Sequence, residues 1–136
     1  MENNGENKIN VLLVEDSSIV AGRIRNMLNE MNKISVIAQA RNLKEALIIL
    51  DSIIPEIVLI GLHLSGKSGI EFLKEIKQKY FNTLIIILSN HSESYYRKLC
   101  IESGADFIFD KSTEFEKVPE TIASMLYTQR KSYLLT

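Results

Sequence analysis

Four polar side chains lie within two residues of the ends of apolar runs that are predicted to be strands. Glu15 and Asp16 follow the first run, Ser89 follows the fourth, and Lys111 follows the fifth. In a parallel sheet these positions meet at the carboxyl edge, where open α/β proteins bind ligands and carry out chemistry. Taken singly, the acidic pair could cap a helix, Ser89 could be a turn residue and Lys111 a solvated charge. Their combination at consecutive strand ends predicts a functional site.

The middle strand of the predicted sheet leads to a residue without a side chain. Residues 57–60 form an unbroken apolar run rich in β-branched residues, which is typical of a strand buried on both faces. Pro55 suits the entrance of that strand, because no ladder donor is needed there. Gly61 therefore stands where a functional side chain would be expected, and it supplies none.

Apolar runs and segments of helical periodicity alternate along the chain. Strands are predicted at residues 9–14, 34–40, 57–60, 84–88 and 107–109. Helices are predicted between them, the first ending near Met31 and the last beginning near Val118, because Pro119 is tolerated only in a first turn. This alternation predicts an α/β fold, with a parallel sheet and helices on both faces. Right-handed crossovers favour the flavodoxin-like strand order 2-1-3-4-5.

Capping residues predict where several helices begin and end. Asn42 with Glu45, and Ser68 with Glu71, each have the spacing of a capping box. Gly104 is a suitable residue to end the fourth helix. The buried stripe of the second helix is predicted at Leu43, Ala46, Leu47, Leu50 and Ile54.

Bulk composition indicates one ordinary domain. The 136 residues carry a net charge of −1, which gives no electrostatic signature for nucleic acid or an anionic membrane. The polar N-terminus does not resemble a signal peptide, and the single cysteine fits a reducing cytoplasm. We expect a disordered tail over residues 1–8 and a domain over 9–128. Residues 129–136 would be either a frayed tail or a helical extension that meets a partner.

Other candidate sites in the sequence are weaker. His63 and His91 have no neighbours at metal-ligand spacing, and Cys100 lies on the buried stripe of its helix. No glycine-rich phosphate-binding motif follows the first strand, which argues against a nucleotide-binding protein. Of Tyr95 and Tyr96, one is expected to be buried and one exposed.

Several motifs together resemble the response-regulator receiver domain, the CheY-like module of bacterial two-component signalling. The matching segments are residues 11–16 with their acidic pair, the loop 61–69, Ser89, the Gly-Ala-Asp of 104–106, and Lys111. The resemblance extends from residue 9 to about residue 126.

This resemblance implies a chemistry for the site. An aspartate at position 61 would attack a phosphoryl group. Mg²⁺ would be held by Glu15, Asp16, that aspartate and the backbone carbonyl of His63. Ser89 would bind a phosphoryl oxygen, and Lys111 would pair with the acceptor or its phosphate.

The sequence departs from the family pattern at three positions. Gly61 removes the nucleophile and one metal ligand, so any Mg²⁺ binding is expected to be weak. Lys111 would then be free to reach Asp16. Ser65 replaces a usual proline, and Ile108 replaces an aromatic residue that often turns inward on activation, which puts the usual switch through Ser89 and position 108 in doubt.

Two functions follow from the resemblance. The first is a single-domain receiver of a two-component phosphorelay that cannot be phosphorylated at position 61. Its partners would be a sensor histidine kinase or phosphotransfer protein and a downstream protein target, without nucleic acid, membrane or enzymatic turnover. The alternative is a natural pseudo-receiver that acts through protein contacts alone. The retained Glu15, Asp16, Ser89 and Lys111 favour the first.

Overall fold

The strands have the predicted positions, and two of them run one residue further. The computed structural model describes residues 8–64, 66–90 and 93–125. Within these residues the strands are β1 (Ile9–Val14), β2 (Ile34–Ala40), β3 (Ile57–Ile60), β4 (Leu84–Ser89) and β5 (Phe107–Asp110). The helices are α1 (Ser18–Asn29), α2 (Leu43–Leu50), α3 (Gly66–Lys79) and α4 (Ser94–Ser103), and residues 117–125 are also helical and are called α5 here.

The strands form one parallel sheet in the order β2-β1-β3-β4-β5, which confirms the flavodoxin-like prediction. Side chains alternate between its two faces, so each face has its own apolar core. One core is built with α2, α3 and α4, and the other with α1 and α5. β3 contributes Val58 and Ile60 to the first core and Ile57 and Leu59 to the second, and all four are fully buried.

The register of the sheet brings four strand ends together. Val14 of β1 lies beside Ile60 of β3, and the N–H of Gly61 donates to the carbonyl of Val14 at 2.7 Å. On the other side, Ser89 of β4 pairs with Asp110, and the N–H of Lys111 donates to the carbonyl of Ser89 at 2.8 Å. Backbone hydrogen bonds therefore fix Gly61, which follows β3, against the end of β1, and Lys111, which follows β5, against the end of β4.

Two helix predictions were wrong. α2 ends at Leu50, so Ile54 is not part of its stripe and its side chain is 65% exposed. The helix ends with Asp51 in a right-handed conformation, without the glycine that would have marked the end in the sequence. α3 begins at Gly66, so Ser68 lies inside the first turn and does not cap it.

The capping residues predicted for the start of α2 and the end of α4 were correct. The N–H of Glu45 donates to the Asn42 side chain at 2.8 Å, although the Glu45 carboxylate accepts from Arg41 instead of from Asn42. Gly104 caps α4 with a φ of +130°, and its N–H donates to Cys100 and Ile101 carbonyls. α5 begins at residue 117, one residue before the predicted Val118.

Several expectations lie outside the described residues. They are the N-terminal tail up to residue 7, the environments of Ser65 and His91, and the C-terminal segment from residue 126. Within the described part of the chain, no helix combines the length and the apolar character needed to cross a bilayer.

Candidate functional site

The carboxylate of Glu15 and the ammonium of Lys111 form an ion pair at the carboxyl edge of the sheet. Glu15 Oε1 lies 3.1 Å from Lys111 Nζ, and the side chains are only 1% and 16% exposed, respectively. The same Nζ donates a hydrogen bond to the backbone carbonyl of Gly61 at 2.8 Å. One lysine therefore connects the ends of β1, β3 and β5.

The second oxygen of Glu15 is tied to the start of α1. The N–H of Ser17 donates to Glu15 Oε2 at 2.9 Å, and Ser17 itself caps α1 by accepting from the N–H of Val20 at 3.2 Å. Among the described residues, none donates a hydrogen bond to Oε1, so the favourable contact of this oxygen is charge attraction to Lys111. The acidic pair therefore does not cap α1 itself, because Ser17 does so.

The Glu15 carboxylate occupies the space that a side chain at position 61 would take. A Cβ placed on Gly61 would overlap Glu15 Oε1 and would lie 3.5 Å from Lys111 Nζ. The missing side chain is thus what allows Glu15 to reach this position. The expectation that Lys111 would reach Asp16 was wrong: Lys111 pairs with buried Glu15, and Asp16 is exposed.

This arrangement does not fit a magnesium site. The predicted ligands were Glu15, Asp16 and the carbonyl of His63. Both Glu15 oxygens already have contacts inside the protein, and position 61 supplies no third carboxylate. Among the described residues there is no group of three or more acidic, histidine or cysteine side chains able to hold a metal. The chemistry of this conformation is therefore that of a buried ion pair.

Tyr96 of α4 joins the site from the side of β4, and the sequence alone did not reveal this. Its phenolic oxygen accepts a hydrogen bond from the N–H of Leu64 at 2.9 Å, and its ring stacks on His63 at 4.6 Å between centroids. Burial raises the pKa of Tyr96 to about 12, and the hydrogen bond from the Leu64 N–H, with a weaker one to the Ser89 side chain, opposes that shift. Ser89, 3% exposed, thus lies beside the Tyr96 phenol.

The tyrosine pair behaves as expected, and Tyr96 could have been found from its register. Tyr95 is 79% exposed while Tyr96 is buried. Tyr96 lies on the inward face of α4, so its hydroxyl had to find a polar partner. Cys100 is buried on the same face, and burial raises the pKa of its thiol. Ile108, at the position of the usual aromatic, is 7% exposed within the same core.

A polar network fixes the turn that follows β5, and nothing in the sequence pattern indicated it. Arg97 of α4 donates to the carbonyl of Ile108 and to Glu114, both at 2.9 Å. Glu114 also accepts from the N–H of Asp110 at 2.8 Å and from Lys117 at 3.0 Å. These contacts, the Asp110 N–H first, lower the pKa of Glu114 to about 2. The segment that carries the site lysine is therefore held against α4.

Comparison with known proteins gives a consistent result. The family model of the response regulator receiver domain matches residues 11–123. A transcriptional regulatory protein of Bacillus subtilis, YdfI, is 32% identical over 82% of this chain and 52% of its own length. The DNA-binding transcriptional activator EvgA of Escherichia coli is 27% identical over 76% of this chain and 50% of its own. The chain thus spans about half the length of these relatives.

The fold comparison agrees. The crystal structure of a two-component response regulator of the LuxR family from Aurantimonas has a TM-score of 0.78 and 27% identity, covering 89% of this chain and 86% of that one. Receiver domains typically bind Mg²⁺ at their phosphorylation site and interact with histidine kinases or phosphotransfer proteins. The five-stranded order, the strand-end residues and these matches lead to one conclusion: the chain belongs to the response regulator receiver domain family.

Proposed function

We propose that this chain is a two-component receiver module that takes up no phosphoryl group at position 61. The observation that supports this most directly is the overlap of the Glu15 carboxylate with the place of a side chain at Gly61. A glycine offers no nucleophile, and the acyl phosphate of a receiver needs a carboxylate. Its partners would be a sensor histidine kinase or phosphotransfer protein and a downstream target.

The neighbouring carboxylates do not substitute as acceptors. Glu15 is 1% exposed, with one oxygen bound to the Ser17 N–H and the other facing Lys111. In-line attack requires an oxygen that a phosphodonor can approach, and burial prevents that approach. Asp16 is exposed, but it lies outside the Glu15–Lys111 pair that closes the site.

Within this proposal, the retained side chains favour a receiver in which only position 61 has changed. Ser89 ends β4 in a buried position, and Lys111 still donates to the backbone of residue 61. Both are held by sheet hydrogen bonds, so their placement does not depend on the missing aspartate. Adding a carboxylate at position 61 should be enough to restore the acceptor, provided that the Glu15 side chain swings aside.

The alternative is a pseudo-receiver that acts through protein contacts without phosphorylation. The Glu15–Lys111 pair favours it, because the charge of Lys111 is already compensated without a metal or a phosphoryl group. In this case the arrangement around position 61 would be a lasting adaptation, and restoring a carboxylate would not restore the reaction.

Intact mass measurement tests both functions. The unchanged chain, Gly61→Asp and Gly61→Ala are incubated with a small phosphodonor and Mg²⁺, where Gly61→Ala controls for the added Cβ. We expect an acid-labile phosphoryl adduct on Gly61→Asp alone. An adduct on the unchanged chain would refute the proposal. No adduct on any of the three would favour the pseudo-receiver.

A further inference from the structure

We infer that Glu15 replaces the missing side chain at position 61 as the partner of Lys111, so that the site is closed by the chain's own carboxylate. The inference rests on the proposed function in one respect, the identification of position 61 as the acceptor position. It adds a role for Glu15: an internal contact that fixes one state of the site independently of cation and phosphodonor.

The geometry carries the first step. Lys111 Nζ contacts the Gly61 carbonyl at 2.8 Å and Glu15 Oε1 at 3.1 Å. The same Oε1 is the atom that a Cβ at position 61 would overlap. The carboxylate of Glu15 thus reaches the lysine through the space that position 61 leaves open.

The surroundings make the loss of this pair costly to the folded state. Glu15 is almost fully buried, and an unpaired buried carboxylate is strongly disfavoured. The Ser17 N–H satisfies one of its oxygens, but Oε1 has no hydrogen bond from the part of the chain that the structure describes and depends on the Lys111 ammonium. Removing either charge would leave the other without its charged partner, with only the Gly61 carbonyl for Lys111 or the Ser17 N–H for Glu15.

Steric exclusion makes the inference testable. If Glu15 and a residue at position 61 compete for one space and one lysine, then the effect of Gly61→Asp must depend on residue 15. With Glu15 present, the new side chain must displace a carboxylate and add a like charge. With Glu15→Ala, the same substitution fills an empty space and returns a partner to Lys111.

Thermal unfolding of four chains, in chelator and without phosphodonor, gives the test: the unchanged chain, Glu15→Ala, Gly61→Asp and the double variant. We expect Glu15→Ala to lower the melting temperature by roughly 10 °C. Gly61→Asp alone should lower it as well, whereas adding Gly61→Asp to Glu15→Ala should raise it. Equal shifts from Gly61→Asp in the two backgrounds would overturn the inference.

A second cycle covers the case that Glu15→Ala does not fold. Glu15→Gln keeps the shape of the side chain and is combined with Lys111→Met, and unfolding is followed in denaturant. Losses that fail to add indicate direct coupling, and strictly additive losses contradict it. Glu75→Gln, which breaks the exposed Glu75–Lys79 pair at 3.4 Å, is the control and should change little.

Neither cycle contains a phosphodonor, so their outcome is separate from that of the proposed function. If Gly61→Asp shifts stability equally in both backgrounds while the unchanged chain still forms no adduct, the closing role of Glu15 fails and the proposed function stands. If the stability cycle succeeds while the unchanged chain forms an adduct, only the proposed function fails.

Discussion

The phenolic oxygen of Tyr96 accepts the backbone N–H of Leu64 at 2.9 Å, which links α4 to the loop after β3. Both residues are buried, and the same phenol contacts Ser89 at the end of β4. The position of α4 is therefore tied to the strand ends that form the site. A change at the site that moves this loop would have to move or break the Tyr96 contact.

Removing the Tyr96 hydroxyl should destabilise the protein. Tyr96→Phe leaves the Leu64 N–H buried without its acceptor, at a cost of about 1–3 kcal/mol. Denaturant unfolding measures the loss, and hydrogen exchange at Leu64 should become faster. Tyr95→Phe is the matched control, because that side chain is exposed and should change stability little. Equal stability of the two variants would show that the Leu64 contact contributes nothing.

The hydrogen bonds and ion pairs of Glu114 should make the free energy of unfolding depend on pH in the acidic range. The pKa of Glu114 is lowered from 4.5 to about 2 in the folded state, so its contribution is fully present above pH 4.5. That contribution is lost as the pH falls from 4.5 towards 2. Glu114→Gln should therefore be less stable than the unchanged chain near neutrality, and the gap should narrow in acid. Unfolding curves over that range measure it, with the exposed Glu116→Gln as control. A constant gap would contradict the assignment.

Gly104 should resist substitution, whereas Gly22 should not. Gly104 has a φ of +130°, and a Cβ there would lie 3.1 Å from the carbonyl oxygen of Leu73. Gly104→Ala should cost about 1–3 kcal/mol. Gly22 lies inside α1 with open space around its Cβ position, so Gly22→Ala should stabilise by about 0.5–1 kcal/mol. Denaturant unfolding of both variants tests the pair. A Gly104→Ala variant as stable as the unchanged chain would contradict the account of Gly104, and a destabilised Gly22→Ala variant would contradict that of Gly22.

The sequence predicts the sheet better than it predicts the contacts at the edge. The strand order follows from the alternation of strands and helices and from the right-handedness of parallel crossovers. Both can be inferred from the apolar periodicity of the sequence. The end of α2 has no comparable signal in the sequence. Asp51 is not a typical C-terminal capping residue, and Ile54 continues the apolar spacing of the helix. Helix limits of this kind are decided by the backbone after the last turn.

The Glu15–Lys111 pair could not be predicted, because it depends on the space that Gly61 leaves open, and no sequence motif describes that space. The residues after the strands were identified correctly as neighbours, because parallel strands end at one edge. Which acid Lys111 would choose depended on whether a buried glutamate could enter the space left by Gly61. The Arg97–Glu114 contact is a similar case, since its partners are separated along the chain and follow no period.

Gly61→Asp should make the site dependent on Mg²⁺. Its carboxylate would stand within a few Å of Glu15, and like charges at that range repel by roughly 1–4 kcal/mol at effective dielectrics of 80 to 20. The variant should unfold at a lower temperature without metal and regain stability with Mg²⁺ through preferential binding to the folded state. Gly61→Asn, uncharged and of similar size, is the control. A Mg²⁺ response equal in both variants would show that the added charge is not the cause.

The most direct test of this account is the effect of Mg²⁺ on the thermal unfolding of the unchanged chain. Glu15 is engaged by Lys111 and Ser17, so the site should offer Mg²⁺ no set of free carboxylates. We predict that the melting temperature in excess Mg²⁺ equals that in a sodium salt of the same ionic strength. A saturable rise specific to Mg²⁺ would show that the cation displaces Lys111 from Glu15, and would contradict a site closed by its own carboxylate.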